Sequence, residues 1–380
     1  MQVIYLSRYR SILTFAALVF SICSYALAII GTGTNGGDIA IYLTAGHCVQ
    51  QHQDPYATGI GFMRYLYPPV TLPFAELLAS ISPKFLPVIY DSLSILAYAL
   101  IVWEGSLLLS YADWLVFTIV CPYAFSAIYS LLQGNVDLFL CCALLGAVYA
   151  FVSNKTPACI ALVCACSLIK FPYIALLLVP ALNSTKARRA CAIGFVSVLA
   201  VYLLQMTVYH RLFHGFIGNV SAVSVKAYTT ECNVLGWLNN SLLERFGWNT
   251  PLTVDICYIL YSLVVIVVGL RALSKLKDNA LEFSMLSLLL YAVLIPRLEC
   301  DQYILFVIPT VYGLQRLNMP VTFRIFGLVF LVLTPFAGAP FYTLWYVLSF
   351  WIYSLLTARS DYPGHRLSTT GTSTDAAQCL

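Results

Sequence analysis

Charge is what this sequence has least of. Twenty Lys and Arg and 16 Asp and Glu make up 9% of 380 residues, where an ordinary soluble domain carries roughly 25%. So few charges cannot coat a globule of this size, which excludes a soluble enzyme. With 61% hydrophobic residues the chain is too apolar to stay disordered. A formal net charge of +4 is too small for the basic face of a nucleic-acid binder. Zinc-type spacing is missing as well: there is no Cys-x-x-Cys pair and no Cys/His pattern. Internal repeats are not visible, and transporters often carry them.

What is there is apolar sequence in long runs, with a mean hydropathy of +0.85. A membrane helix needs about 20 apolar residues. Runs fall at 11–30, 68–82, 86–103, 112–131, 134–152, 157–182, 190–209, 252–270, 280–296, 302–316, 322–338 and 340–357. The pattern predicts an all-α, polytopic integral membrane protein of about 10–12 transmembrane helices. Residues 1–357 form one membrane domain, and 358–380, rich in Ser, Thr and Gly, a disordered cytoplasmic tail. Ala26-Leu27-Ala28 resembles a signal-peptidase site, but the run before it is long enough to cross and further runs follow, so an uncleaved first span is expected. Most of the 13 Cys lie inside apolar runs, as small hydrophobes. Cys48, Cys232 and Cys300 fall in or near loops, an odd set that makes no disulfide framework.

Lys and Arg orient the chain. With the N-terminus cytoplasmic, the inner loops hold thirteen basic residues, Lys84 among them, and the outer loops six, Lys155 among them. Both termini are then cytoplasmic, in a plasma (inner) membrane. Segments 31–67, 210–251 and 297–301 share the outer face with Asp38, Asp54, Glu231, Glu299 and Asp301. Polar chemistry thus gathers at a rim rather than at the bilayer midplane, where transporters place it.

After the first run, Ile41, Tyr42, Ala45, Cys48 and Val49 repeat at helical spacing, predicting an amphipathic helix along the membrane surface. Asp38 opens it, either as a helix cap or as a catalytic carboxylate at the water–lipid boundary. Asp54 before Pro55 reads as a turn residue, and Tyr65 and Tyr67 as an interfacial aromatic belt. Lys170 stands within the run 157–182. Either it snorkels from a helix end, or Pro172 breaks the span and lets it face a cavity. Asp137, two residues after Asn135, reads as pairing with a neighbouring polar group. His47 lies off the face of Asp38. His210 and His214 are spaced i, i+4 but have no further ligand near in sequence, so no metal is expected. Asn219-Val220-Ser221 and Asn239-Asn240-Ser241 match the glycosylation sequon.

Several of these residues fall into an ordered set: Asp38-x-x-x-Tyr42, Asp54-Pro55-Tyr56, Tyr67-Pro68-Pro69, Gln133-Gly134-Asn135, Lys170-Phe171-Pro172 and Pro296-Arg297-Leu298-x-x-Asp301-x-Tyr303. The set resembles glycosyltransferase family 87, of the GT-C class of membrane glycosyltransferases, over most of residues 11–316. Some mannosyltransferases of that family carry His where Asp301, Gln302 and Tyr303 stand here. The resemblance implies inverting transfer of a sugar, mannose or a related one, from a polyprenyl-phosphate donor to a lipid or glycan acceptor on the outer face, with no cofactor. It implies Asp38 as general base. The chemistry is compatible: a sugar hydroxyl needs a carboxylate to take its proton, and a phosphate leaving group needs cations. Arg297 and Lys170 are expected at the donor phosphate, and Tyr42, Asp54, Tyr56, Tyr67, Asn135 and Asp301 around the substrates. Membrane lipid and the two substrates are the expected partners, with no nucleic acid. Two rival classes stay open: a transporter or flippase of a lipid-linked sugar using Lys170, Asp137 and Asp91 as an intramembrane path, and an inactive scaffold.

Overall fold

A computed structural model describes residues 12, 15–24, 26–27, 37–57, 64–120, 134–224, 233–248, 250–296, 302, 304–316 and 339–358. Arg297, Asp301 and the tail from residue 359 lie outside the described residues, as do Gln133, Cys232, Cys300 and the run 322–338.

The described elements are helices, and no strand occurs among the described residues. They are α1 (Phe15–Ser24), α2 (Gly37–Gln50), α3 (Leu72–Ala79), α4 (Leu86–Leu108), α5 (Tyr111–Val120), α6 (Asp137–Val152), α7 (Thr156–Ile169), α8 (Leu178–Asn183), α9 (Thr185–Val208), α10 (His210–Ser224), α11 (Val234–Trp237), α12 (Pro251–Lys275), α13 (Ala280–Leu294), α14 (Ile304–Arg316) and α15 (Ala339–Ala358). Three of them, α4, α9 and α12, are long and apolar enough to cross a membrane. Proline opens many helices: Pro73 in α3, Pro87 in α4, Pro157 in α7 and Pro251 in α12. The first-turn N–H that proline lacks would have no partner there anyway. Thr250 and Asn279 cap α12 and α13, each accepting a backbone N–H three residues on.

The cross-contacts sort the helices by direction. Tyr90, near the start of α4, donates to the carbonyl of Gly134 at 2.5 Å, just before α6. Deeper along the same pair, Glu104 lies over Gly146. So α4 and α6 run parallel from one end, which also holds α2 and is called the site end below. Gly194 of α9 faces Ile160 and Cys164 of α7, and Tyr202 bonds the Ser167 carbonyl at 3.2 Å, so α7 and α9 run together toward that end. On the other side, Tyr258 of α12 donates to the last carbonyl of α13, Leu294, at 2.5 Å. Tyr312 of α14 reaches Glu282 at the start of α13 at 3.4 Å, and its ring meets Tyr353 of α15.

Two apolar runs differ from their sequence reading. The run 68–82 supplies no crossing. A 3-10 turn, Pro69–Thr71, leads into α3, which has 8 residues and spans about 12 Å, far short of a bilayer core of about 30 Å. Gly46 packs against the Ala75 backbone, and Gln50 holds Ser80 at 2.9 Å, so α2 and α3 lie side by side. The run 157–182 is two antiparallel legs. Pro172 has no N–H, and in a continuous helix its ring would clash with the Leu168 carbonyl four residues back. α7 therefore stops at Ile169, and Lys170 is extended (φ −127°, ψ 99°). The chain returns through a 3-10 helix, Phe171–Leu177, into α8, where Ala181 accepts from Arg188 at 3.1 Å. Lys170 thus stands at a hairpin apex at the site end, not deep in an unbroken span.

These changes move two cations. Lys84, between α3 and α4, sits at the site end, and Lys155, after α6, at the opposite end with Lys186, Arg188, Arg189, Arg271, Lys275 and Lys277. That exchanges the sides expected for Lys84 and Lys155. The face of α2 also shifts. It buries Ile39, Tyr42, Ala45, Gly46 and Cys48, while Ile41 and Val49 are only partly covered. Apolar residues are spread almost evenly around α2, so it is not the amphipathic helix expected from the spacing, and the close approach of α3 at Gly46 sets which face is buried.

Candidate functional site

The site end brings together residues far apart in sequence. Asp38, half-buried in the first turn of α2, lies within electrostatic reach of the phenols of Tyr42 and Tyr90. Helix α2 opens at Gly37, so Asp38 is inside the first turn, where a carboxylate also meets the positive end of the helix. Tyr42, one turn on, shares a hydrogen bond with the Tyr67 hydroxyl at 3.0 Å and accepts the backbone N–H of Val136 at 3.2 Å. Gly134 has φ +66°, and a side chain there would collide with Ile39 of α2. Glycine lets the Gly134–Val136 turn close under α2.

The turn delivers a carboxylate. Asn135 accepts the backbone N–H of Asp137 at 2.9 Å, and Asp137 starts α6 with its side chain fully buried. Lys170, at the hairpin apex, bonds Asp137 Oδ2 at 2.6 Å, and the Tyr173 hydroxyl lies 3.4 Å from Oδ1. The Lys170 ammonium also sits over the Tyr67 ring, 5.8 Å from its centre. Breaking such a buried pair costs about 3–5 kcal/mol. Asp137 lies within electrostatic reach of Tyr90 as well, so Tyr90 feels both the Asp38 and the Asp137 carboxylates.

Residues 54–57 and 64–67 border the cluster. Asp54 turns the chain by accepting the Tyr56 N–H at 2.9 Å, and faces Arg211 of α10 at 3.8 Å. Tyr56 donates to the Tyr67 carbonyl at 2.8 Å. Rings continue from Tyr42 through Tyr67, Tyr65 and Tyr56 to Phe216 of α10. Burial, helped by neighbouring phenols and Asp54, pushes the Tyr56 phenol up; burial pushes Tyr65 to about 12 despite its bond to Thr71, and Tyr42 is raised in the same way. These phenols stay protonated at physiological pH and act as hydrogen-bond donors, not bases.

No family model, curated protein or solved structure matches this chain. The site therefore rests on its own geometry. Of the residues singled out in the sequence, Asp38, Tyr42, Tyr67, Asn135 and Lys170 meet in one cluster, with Asp54 and Tyr56 beside it. Arg297 and Asp301 lie outside the described residues. Sequence reasoning gave no site role to Tyr90, Asn219 or Gln205. Asn219 of α10 is buried and donates to the carbonyls of Tyr56 and Tyr65 at 3.1 and 3.3 Å, clamping both ends of that loop. Gln205, buried in α9, accepts the Val70 N–H at 2.8 Å and ties the Pro69 turn to the bundle. A polar side chain inside an apolar run was the available signal for Gln205; Asn219 was read only as a sequon. Asp137 was seen as pairing locally, and its partner is the distant Lys170.

Among the described residues no three or more His, Cys, Asp or Glu gather as metal ligands. The His210 and His214 rings are parallel, 6.5 Å apart, on the exposed side of α10. A small crevice between α6, α7 and α13, lined by Leu144, Val148, Cys159 and Leu288, is almost wholly apolar. It lies away from the charged cluster and offers nothing to a sugar or a phosphate.

Proposed function

We propose that this chain is a polytopic GT-C-type membrane enzyme that moves a sugar, mannose or a related one, from a polyprenyl-phosphate donor to a lipid or glycan acceptor. The observation that carries the reading is the cluster itself: a carboxylate, Asp38, and an ammonium, Lys170, lie at the same end of an apolar bundle, joined through Tyr42 and Tyr67. Arg297 and Asp301 belong to the same reading through the family resemblance.

In the reaction, the acceptor hydroxyl attacks the anomeric carbon of the donor sugar and passes its proton to Asp38. The bond from that carbon to the phosphate oxygen breaks on the opposite face. Polyprenyl phosphate leaves with the bonding pair, and the anomeric centre inverts. Lys170 and Arg297 meet the charge growing on the phosphate. An ammonium has three N–H donors, so Lys170 can hold Asp137 and a phosphate oxygen at once. Asp54, Tyr56, Tyr42, Tyr67 and Asn135 shape the space around the two sugars.

In this reading the site end faces outward from a plasma (inner) membrane and both termini are cytoplasmic. The helix directions support it. Loss of the run 68–82 as a crossing is offset by division of 157–182 into two, so the sidedness expected for the later runs is unchanged, and Lys155 replaces Lys84 in the inner set. The transport alternative needs polar groups strung through the bundle, whereas Asp91, Asp137 and Lys170 all sit at the site end. Purified protein incubated with a panel of polyprenyl-phosphate sugars, with products read by mass spectrometry, is the test. A new glycosidic bond supports the reading. Movement of an intact lipid-linked sugar across vesicles, with no new bond, overturns it.

A further inference from the structure

The Lys170–Asp137 pair is not symmetric. Asp137 is fully buried, its carboxylate taking Lys170 on one oxygen and facing the Tyr173 hydroxyl on the other, in the first turn of α6 whose own N–H is held by Asn135. That end is fixed by helix, turn and phenol together. Lys170 is 16% exposed, stands on extended backbone at the apex between two short legs, and points its ammonium at the face of Tyr67. One end of the pair belongs to the core and the other to the site.

We propose that Asp137 is a positioning residue that holds the Lys170 ammonium where a lipid-linked phosphate is bound. The inference rests on the glycosyl-transfer reading for its role in the reaction, but its binding step stands separately. A buried ammonium without a counter-charge is costly and turns toward water. Fixing it by a buried carboxylate keeps the cation against the Tyr67 ring, with one geometry for the incoming phosphate. A plain structural clip would need only opposite charges, in either order. A positioned cation needs the lysine at the apex and the carboxylate in the core.

That difference is measurable on the full-length protein in detergent. The variants are Asp137→Asn, Lys170→Met and the exchange Asp137→Lys with Lys170→Asp. The probes are farnesyl phosphate, farnesol and inorganic phosphate, alongside thermal unfolding. Asp137→Asn is expected to weaken farnesyl phosphate binding by about tenfold, or about 1.4 kcal/mol, with farnesol binding unchanged. The exchange is expected to recover the unfolding temperature lost in the single variants without recovering farnesyl phosphate binding. Recovery of both, or Asp137→Asn binding farnesyl phosphate as tightly as or tighter than the parent, overturns the proposal. If the exchange does not fold, Asp137→Asn decides alone: selective loss of farnesyl phosphate over farnesol supports it, and equal or no loss sinks it. Inorganic phosphate competing as well as farnesyl phosphate would mean a free-anion site and would overturn the lipid-linked part. A parent protein that binds farnesyl phosphate as stated yet transfers no sugar ends the enzyme reading while leaving the positioning role intact.

Discussion

Asp38, Asp137 and Lys170 come from α2, α6 and the apex after α7, and each has a different task in the proposed chemistry. Asp38→Asn keeps shape and removes the base. Sugar transfer is expected to fall by roughly 10²–10⁴-fold with the unfolding temperature unchanged; normal transfer would remove Asp38 from the mechanism. Gly134→Ala meets both a positive φ and the Ile39 side chain, and is expected to destabilise the fold by about 1–3 kcal/mol, read by thermal unfolding. Asn219 makes the opposite point to its sequence pattern. Its amide is spent on two carbonyls inside the protein, so in a glycosylating membrane a glycan shift on gels is expected to be absent at this sequon.

At the scale of elements, the loop 54–67 and the hairpin at Lys170 do most of the positioning. The loop's described residues bring the rings of Tyr56, Tyr65 and Tyr67 together at tilted angles. Tyr65 is held at about 12 in the fold against about 10 when unfolded. Between those values the folded chain keeps a proton that the unfolded chain has lost. Stability is therefore full below pH 10 and falls as pH rises toward 12, by about 1.4 kcal/mol per pH unit for this group, with Tyr42 and Tyr56 acting in the same sense. Denaturant unfolding of the parent and of Tyr65→Phe from pH 9 to 12 checks the slope, and an unchanged pH dependence in Tyr65→Phe would contradict it. The helix Gly37–Gln50 and the turn at Asp54 were legible in the sequence because they depend on local spacing and proline. The hairpin was legible only as one of two options at Pro172. Whether a broken helix continues onward or doubles back depends on what packs beside it, and here α9 runs along both legs.

At the scale of the whole molecule, two ends differ in charge and in chemistry. Cysteine placed at Lys84 and at Lys155, both exposed, is expected to react with a membrane-impermeant maleimide from opposite faces of sealed vesicles, with the Lys84 position on the face of Asp38. Labelling of both from one face would contradict the helix directions drawn above. Native Cys48 is buried and is expected to react slowly from either side. Deeper in the bundle, Glu104 of α4 has a carboxylate oxygen with no hydrogen-bond partner, about 21 Å along the helix from Tyr90. Glu104→Gln is expected to leave sugar transfer unchanged, because the proposed reaction ends at the site end; loss of activity would point instead to a path through the bundle.

The sequence by itself determined the solvent and the class of structure, because scarce charge and long apolar runs admit only helices that satisfy their own backbones in lipid. It also determined where helices start, since proline and capping side chains act within one turn. Only the tertiary structure decided that Lys170 meets Asp137, that Asn219 locks a loop, and that the run 68–82 stays at one end. Each of those depends on contacts between residues well separated in sequence, 33 positions for Lys170 and Asp137 and 163 for Asn219 and Tyr56, or on how far a helix can reach before its neighbour turns it back, and no local spacing carries that information.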